Sequence, residues 1–249
     1  MTPNLSIIIP AYNEEERIPK TLNSYLDYLK GKINFEILVI INGCTDNTLE
    51  VVKKIAQKNK EIKYVDIGKV ASKGIAVTEG FKLADSELIG FVDADLATPP
   101  NAFYDLVKNI ENYDAVIASR WMKNSKINKS QPLTRIIAGR SFNILVNLLF
   151  NLKLKDTQCG AKLFKKTALK DILTDIGKTR WAFDVDVLYL LKRKNYKTKE
   201  IPTEWSEPGG SHVKIKTVIE MFLSIVRLRL IYSPFKFIVS IYNGIKNAI

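Results

Sequence analysis

Two hydrophobic periods alternate along the first half of the chain. Leu5–Pro10 (LSIIIP) is a near-continuous apolar run of strand length. In the next segment, Glu14–Leu29, the residues Ile18, Leu22, Tyr25, Leu26 and Leu29 recur at helical spacing. The same change of period repeats down the chain. Phe35–Ile41 predicts a strand, and Thr45–Lys58 a helix with Thr45 and Asp46 as cap candidates. Ile62–Ile67, Leu88–Asp93 and Ala115–Ala118 predict further strands, with helices over Gly74–Leu83 and Pro99–Ile110 between them. Strands this apolar are buried on both faces. The pattern therefore predicts an α/β fold, with a Rossmann-like, mostly parallel central sheet and helices on both faces.

The second half is less regular. Lys123–Pro132 reads as a polar, lysine-rich loop, and Thr134–Leu152 as an unusually apolar helix. Thr157–Phe164 predicts a strand returning to the sheet, Trp181–Leu191 a helix opening on acids, and Lys197–Pro202 a last strand. Glu204–Val213 is a glycine-containing loop. From about Lys214 the pattern predicts two amphipathic helices broken at Pro234, combining apolar residues with lysines and arginines. These divide the chain into a domain over 1–213 and C-terminal amphipathic helices over 214–249. The N-terminal apolar run is short and has no basic segment before it, so it reads as a first strand rather than a signal peptide. No uncharged run reaches the ~18 residues needed to span a bilayer.

Ligands of parallel sheets bind beyond the carboxyl ends of the strands. Four polar clusters fall at such ends: Tyr12-Asn13-Glu14, Asn42-Gly43, Asp93 with Asp95, and Ser119-Arg120. Charge sharpens the picture. The chain of 249 residues carries a net +12, and between Arg120 and Lys170 twelve Lys/Arg face one acid, Asp156. A block of that kind suits a phosphorylated substrate, an anionic membrane surface or a polyanion. A plain solvated basic face gives the same count. Two distant cysteines and one histidine exclude a disulfide framework and a multi-histidine metal site.

The stretch GFVDADLATPP, 90–100, carries the sharpest chemical question. Read as a strand end, it points Asp93 and Asp95 to one face, since residues i and i+2 share it. Two hard oxygen donors at one place suit Mg²⁺ or Mn²⁺, which then bridges a diphosphate. Asp95 or Thr98 capping the next helix is a second reading, and a phosphatase-type nucleophile a third. Tyr12, Asn13 and Glu14 lie where a nucleotide base or ribose could meet the sheet edge, but Asn13 taken alone reads first as a helix N-cap.

The segments SIIIPAYNEEERI, VIINGCTDNT, SKGIAVTEGFKLA, FVDADLATPP and ASRW resemble, in order and spacing, family 2 glycosyltransferases with a GT-A fold. DTQCGAKLFKK, RWAFDVDVLYL and EIPTEWSEPGGSHV are similar to the dolichyl-phosphate β-glucosyltransferase branch of that family, related to dolichol-phosphate mannose synthases. The resemblance implies an inverting enzyme that moves a hexose from a nucleotide sugar, UDP-glucose first, to a polyprenyl (dolichyl) phosphate. It would be peripheral on the cytosolic face of a membrane. The resemblance places Pro10, Ala11, Tyr12, Asn13 and Glu14 at the nucleoside, with Asn42 and Lys73 on the donor side. It places Asp93 by the ribose or diphosphate and Asp95 on the metal, Mg²⁺ or Mn²⁺. Arg120 and Arg135 would face phosphates, and Ser211, His212 and Lys214 would close over the diphosphate.

A phosphate acceptor is already anionic at neutral pH, so its oxygen attacks without a general base. A saccharide hydroxyl would need one, and Asp184 and Asp186 are the candidates. Both also suit a helix N-terminus. The sequence departs from the family at Ile41 and Asn42, where an acidic pair is common, and at Thr78, where an arginine is. GDP-mannose as donor and a saccharide hydroxyl as acceptor remain alternatives. From another class, a non-catalytic basic binder of membranes or nucleic acid would leave the strand-end clusters unexplained, so nucleic acid is not an expected partner.

Overall fold

The computed structural model describes residues 3–68, 72–129, 131–176, 182–207 and 215–237. Three strand–helix units open the chain: β1 (Leu5–Ala11) and α1 (Ile18–Leu29), β2 (Phe35–Ile41) and α2 (Thr48–Ala56), β3 (Ile62–Asp66) and α3 (Lys73–Leu83). β4 (Leu88–Phe91), α4 (Pro100–Lys108) and β5 (Ala115–Ser119) complete the regular half. Then come β6 (Lys126–Lys129), α5 (Leu133–Phe150), β7 (Lys162–Lys165), α6 (Lys166–Ile172), α7 (Phe183–Arg193), β8 (Thr198–Pro202), β9 (Glu204–Ser206) and α8 (Ile215–Ile231).

Seven strands form the main sheet in the order β3-β2-β1-β4-β7-β5-β8. All neighbours run parallel except β7, which is antiparallel to both β4 and β5. Chain order reverses between β1 and β4, which opens a crevice at their carboxyl ends. The sheet is covered on both faces, as its apolar strands require. Leu5, Ile7 and Ile9 of β1 pack with Leu22, Tyr25, Leu26 and Phe103 of α1 and α4. Ile8, on the opposite face, packs with Val77 and Phe81 of α3 and Val187 of α7. Each such side chain, fully buried, contributes about 1.5–3 kcal/mol. A third cluster joins α5, α7 and α8 through Phe142, Val146, Phe150, Val185, Ile225 and Leu228.

Several expectations change. The first helix starts at Ile18, not Glu14: the Glu14 carbonyl closes a turn onto Arg17 and Ile18, and Pro19 suits the first helical turn. β4 ends at Phe91, so Asp93 and Asp95 stand in the following loop and not on one face of a strand. The lysine-rich loop contains β6, which pairs parallel with β9 in a separate two-stranded sheet. α6, absent from the expected elements, follows β7 directly. Among the described residues α5 alone has the length and apolar composition of a membrane-crossing helix. It nevertheless carries Arg135 and Arg140, and its Phe142, Val146 and Phe150 are buried against α7 and α8. It lies on the domain. The second C-terminal helix, beyond Pro234, falls largely outside the described residues.

Candidate active site

The loop after β4 is built to hold two carboxylates in place. Thr21 and Tyr25, buried polar residues of α1, donate to the carbonyls of Ala94 (2.6 Å) and Thr98 (3.0 Å). Asp95 Oδ1 accepts the Ala97 N–H at 3.0 Å, and Ser206 N–H donates to the Ala97 carbonyl. Leu96 takes a left-handed backbone conformation, φ +58°, which costs about 1 kcal/mol or more and bends the chain directly after Asp95. α4 has no side-chain cap, so neither Asp95 nor Thr98 serves as one. Opposite stands the 156–160 turn. A Cβ on Gly160 would lie 1.8 Å from Asp93 Oδ2, so only glycine lets this turn approach the carboxylate.

Charge around the pair is tightly organised. Lys73 Nζ lies 2.5 Å from Asp93 Oδ1. Burial pushes the Asp95 carboxyl above its ordinary pKa, the neighbouring Asp93 adds to this, and Arg17 and Lys73 offset part of it. Burial also raises Glu14, against the pull of Arg17, which it meets at 2.7 Å. Two crowded carboxylates of this kind attract a cation.

A cleft of about 530 Å³ runs over the ends of β1, β2 and β4, lined by Pro10, Ala11, Tyr12, Glu14, Asn42, Ser72, Lys73, Asp93 and Asp95. The side-chain oxygen of Asn42 is buried in this wall without a hydrogen-bond partner. Asn13 does not line the cleft. With φ +53°, it accepts the Thr45 N–H at 2.8 Å and ties the β1 loop to the β2 loop, so it is neither a helix cap nor a cleft wall.

Arg120 and Arg135 lie on the other side of the aspartates. Arg120 is paired with buried Asp156 at 2.7 Å and lies over the rings of Trp121 and Trp205. Arg135 meets Glu207 at 2.6 Å. Both line a smaller space of about 150 Å³ shared with Asp93, Asp95, Gln158, Gly160, Trp205 and Glu207. That space leads to a third, about 440 Å³, between α5 and α8. Here Arg120, Arg135, Gln131 and Gln158 stand at one end and Ala138, Gly139, Phe142, Met221 and Phe222 form apolar walls. The expected convergence of strand ends thus occurs. The basic block, however, is dispersed: Lys162 pairs with Asp184, Lys166 with Asp85, and Lys165 and Lys170 donate to carbonyls.

The two acids of α7 do not stand free in the site. Asp184 lies 2.5 Å from the fully buried Lys162. Burial opposes its charge, but Lys162 and Lys73 outweigh that and hold its pKa below the ordinary value. Asp186 is buried, lines none of the three spaces, and accepts the Tyr232 hydroxyl at 2.6 Å. Ser211, His212 and Lys214 lie outside the described residues. Sequence reasoning missed Gly160, Lys162, Trp205 and Glu207, although all sit inside the later motifs.

Comparison with known proteins agrees with the fold. Dolichyl-phosphate beta-glucosyltransferase ALG5D of Trichomonas vaginalis is 34% identical over 92% of this chain and 73% of its own length. The Dictyostelium discoideum dolichyl-phosphate beta-glucosyltransferase is 33% identical over 92% and 74%. The solved glucosyl-3-phosphoglycerate synthase of Mycobacterium tuberculosis, in complex with Mn²⁺, uridine diphosphate and phosphoglyceric acid, superposes with a TM-score of 0.68. It has 16% identity and covers 92% of this chain and 78% of that one, and so shows the GT-A fold. The glycosyl transferase family 2 model matches residues 6–173. On the fold, the strand-end cleft and these matches, the chain belongs to glycosyl transferase family 2.

Proposed function

We propose that this glycosyltransferase moves glucose from UDP-glucose to a polyprenyl phosphate of the dolichyl type, with inversion at the anomeric carbon. The observation that carries the reading is the continuity of the three spaces. A donor-sized cleft, a charged passage holding Arg120 and Arg135, and an apolar groove share their boundary residues in that order. A nucleotide sugar suits the first, a phosphate the second and an isoprenoid chain the third. The names of the curated relatives supply the same acceptor and sugar.

The acids support a phosphate acceptor over a hydroxyl. A general base must accept a proton near neutral pH. Asp184 is committed to Lys162, and the two lysines lower its affinity for a proton, while Asp186 accepts a tyrosine hydroxyl away from the cleft. A phosphate oxygen needs no such base. It attacks the anomeric carbon, the bond to the diphosphate breaks on the opposite side, and the electron pair leaves with the nucleoside diphosphate. The protein's work is alignment and charge stabilisation. Arg120, fixed by Asp156 and two indole rings, and Arg135 hold the acceptor phosphate.

On the donor side, Asn42 offers its unpaired carbonyl oxygen to a base N–H, and Tyr12 and Glu14 line the nucleoside. Asp93 and Asp95 offer the hard oxygens Mg²⁺ or Mn²⁺ requires. Among the described residues no third His, Cys, Asp or Glu joins them, so these two aspartates are the side chains that would hold the ion. When bound, the metal neutralises charge developing on the leaving diphosphate. The catalytic unit is the 1–213 region together with α8, whose Met221 and Phe222 wall the groove. α5 and α8 together face a membrane peripherally on its cytosolic side.

The test is transfer from radiolabelled UDP-glucose and GDP-mannose in the presence of polyprenyl phosphate, scored by organic extraction. Label should pass from UDP-glucose to the lipid with wild type and not with Asp95→Ala. Transfer from GDP-mannose alone, or only into water-soluble saccharide, would refute it.

A further inference from the structure

Lys73 stands between two carboxylates of different character. In the first turn of α3, its ammonium lies 2.5 Å from Asp93 Oδ1 and 5.4 Å from the centroid of the Phe91 ring. Both members of the pair are partly open to the cleft, at 39% and 35% side-chain exposure. The second carboxylate, Asp184, also acts electrostatically on Lys73, but is itself committed to the fully buried Lys162. Lys162 approaches the same Phe91 ring, at 5.3 Å. The Lys162–Asp184 pair is therefore a fixed anchor of the fold, and the Lys73–Asp93 pair is one that cleft contents can reach.

Asp93 and Asp95 crowd each other in one loop, so a positive charge beside them is favoured at every stage of the cycle. Before donor binds, Lys73 supplies it. A divalent cation that takes Asp93 Oδ1 must displace the ammonium from that oxygen. The displaced ammonium keeps a favourable place in the same cleft, on the donor diphosphate, because Lys73 itself lines that cleft, and Asp184 still acts on it electrostatically.

We propose that Lys73 is an exchangeable counter-cation. It pairs with Asp93 in the free enzyme, yields that carboxylate to the divalent metal when the nucleotide sugar arrives, and moves to the donor diphosphate. The exchange couples the two ligands. Metal alone competes with a tethered ammonium and binds weakly. Nucleotide draws the ammonium away and tightens metal binding, and by reciprocity metal tightens nucleotide. The proposal rests on the reading of Asp93 and Asp95 as the metal site.

The test is direct Mn²⁺ binding, measured by electron paramagnetic resonance of free Mn²⁺, with and without UDP. Wild type, Lys73→Met and Arg17→Met are compared. Arg17 is the control, because it also bears on Asp95 electrostatically but is bonded to Glu14 rather than Asp93. Lys73→Met should bind Mn²⁺ alone about three- to tenfold more tightly than wild type, and UDP should tighten it further by a smaller factor than in wild type. Arg17→Met should change little. Melting without metal should be lower for Lys73→Met and recover with Mn²⁺, which also confirms that the variant is folded. A Lys73→Met affinity no tighter than wild type, or matched by Arg17→Met, overturns the exchange and leaves the metal site standing. Absence of Mn²⁺ binding by wild type, even with UDP, overturns both.

Discussion

At Asp184, burial and charge act in opposite directions, and the balance fixes both chemistry and stability. Lys162 is fully buried, with the Cys159 carbonyl and Asp184 as its partners. Removing the acid strands a buried ammonium, which costs about 3–5 kcal/mol. Lys162→Met should cost less than Asp184→Asn, because Asp184 keeps Lys73 as a counter-charge. The pH dependence follows from the lowered pKa of Asp184. A carboxyl depressed in the folded state contributes stability that is present above its unfolded value, 3.8, and is lost as pH falls through the folded value. The gap in urea midpoint between wild type and Asp184→Asn should stay constant from pH 7 to about 4 and narrow only below that. A gap that closes near pH 6 would mean that Asp184 titrates as a catalytic base, against the phosphate-acceptor reading.

Between elements, the precision of the site comes from loops pressed together. The β4–α4 loop is held by α1 from one side and by the 156–160 turn from the other. Gly160→Ala tests that contact, because its methyl group would collide with the Asp93 carboxylate. The side chain can swing aside, so the fold and melting temperature should change little. Displacing the carboxylate by about 1 Å should nevertheless cost roughly 100-fold in turnover. Equal loss of turnover and stability would place Gly160 in the fold alone. This level of organisation is also where sequence reading stopped. Elements with a strong period, such as α1 and the apolar strands, were legible, and so was the convergence of their polar ends. β6 and β9 were not: they are four and three residues long, exposed or half-buried apart from Trp205, and defined by each other across the chain. Glu207 and Gly160 were inside quoted motifs, but their roles exist only through Arg135 and Asp93, contacts that no local pattern encodes. Asp156 likewise appeared as the lone acid of a basic block and proves to be the support of Arg120.

For the molecule as a whole, α5 and α8 hold two roles at once. Their inner faces close the apolar groove and pack on α7. Their outer faces leave large apolar side chains in solvent: Leu133 (71%), Ile137 (56%), Ile144 (62%) and Leu148 (77%) on α5, and Ile219, Leu223 and Val226 on α8. The α5 residues recur at helical spacing on the side away from Phe142, Val146 and Phe150. Exposed Lys123, Lys126 and Lys129 precede the helix, and Lys153 and Lys155 follow it. An apolar face flanked by lysines matches the boundary between lipid headgroups and acyl chains of an anionic leaflet. Ile144→Asp with Leu148→Asp removes apolar contact worth about 3 kcal/mol, or roughly 100-fold in partitioning, without touching the core. Sedimentation with vesicles containing phosphatidylserine should show that loss, while the melting temperature stays unchanged. Turnover of long-chain polyprenyl phosphate in those vesicles should fall with binding, and turnover of a short, water-soluble polyprenyl phosphate should not. If both substrates lose turnover equally, the outer face serves the catalytic fold, and the membrane must be met elsewhere on the molecule.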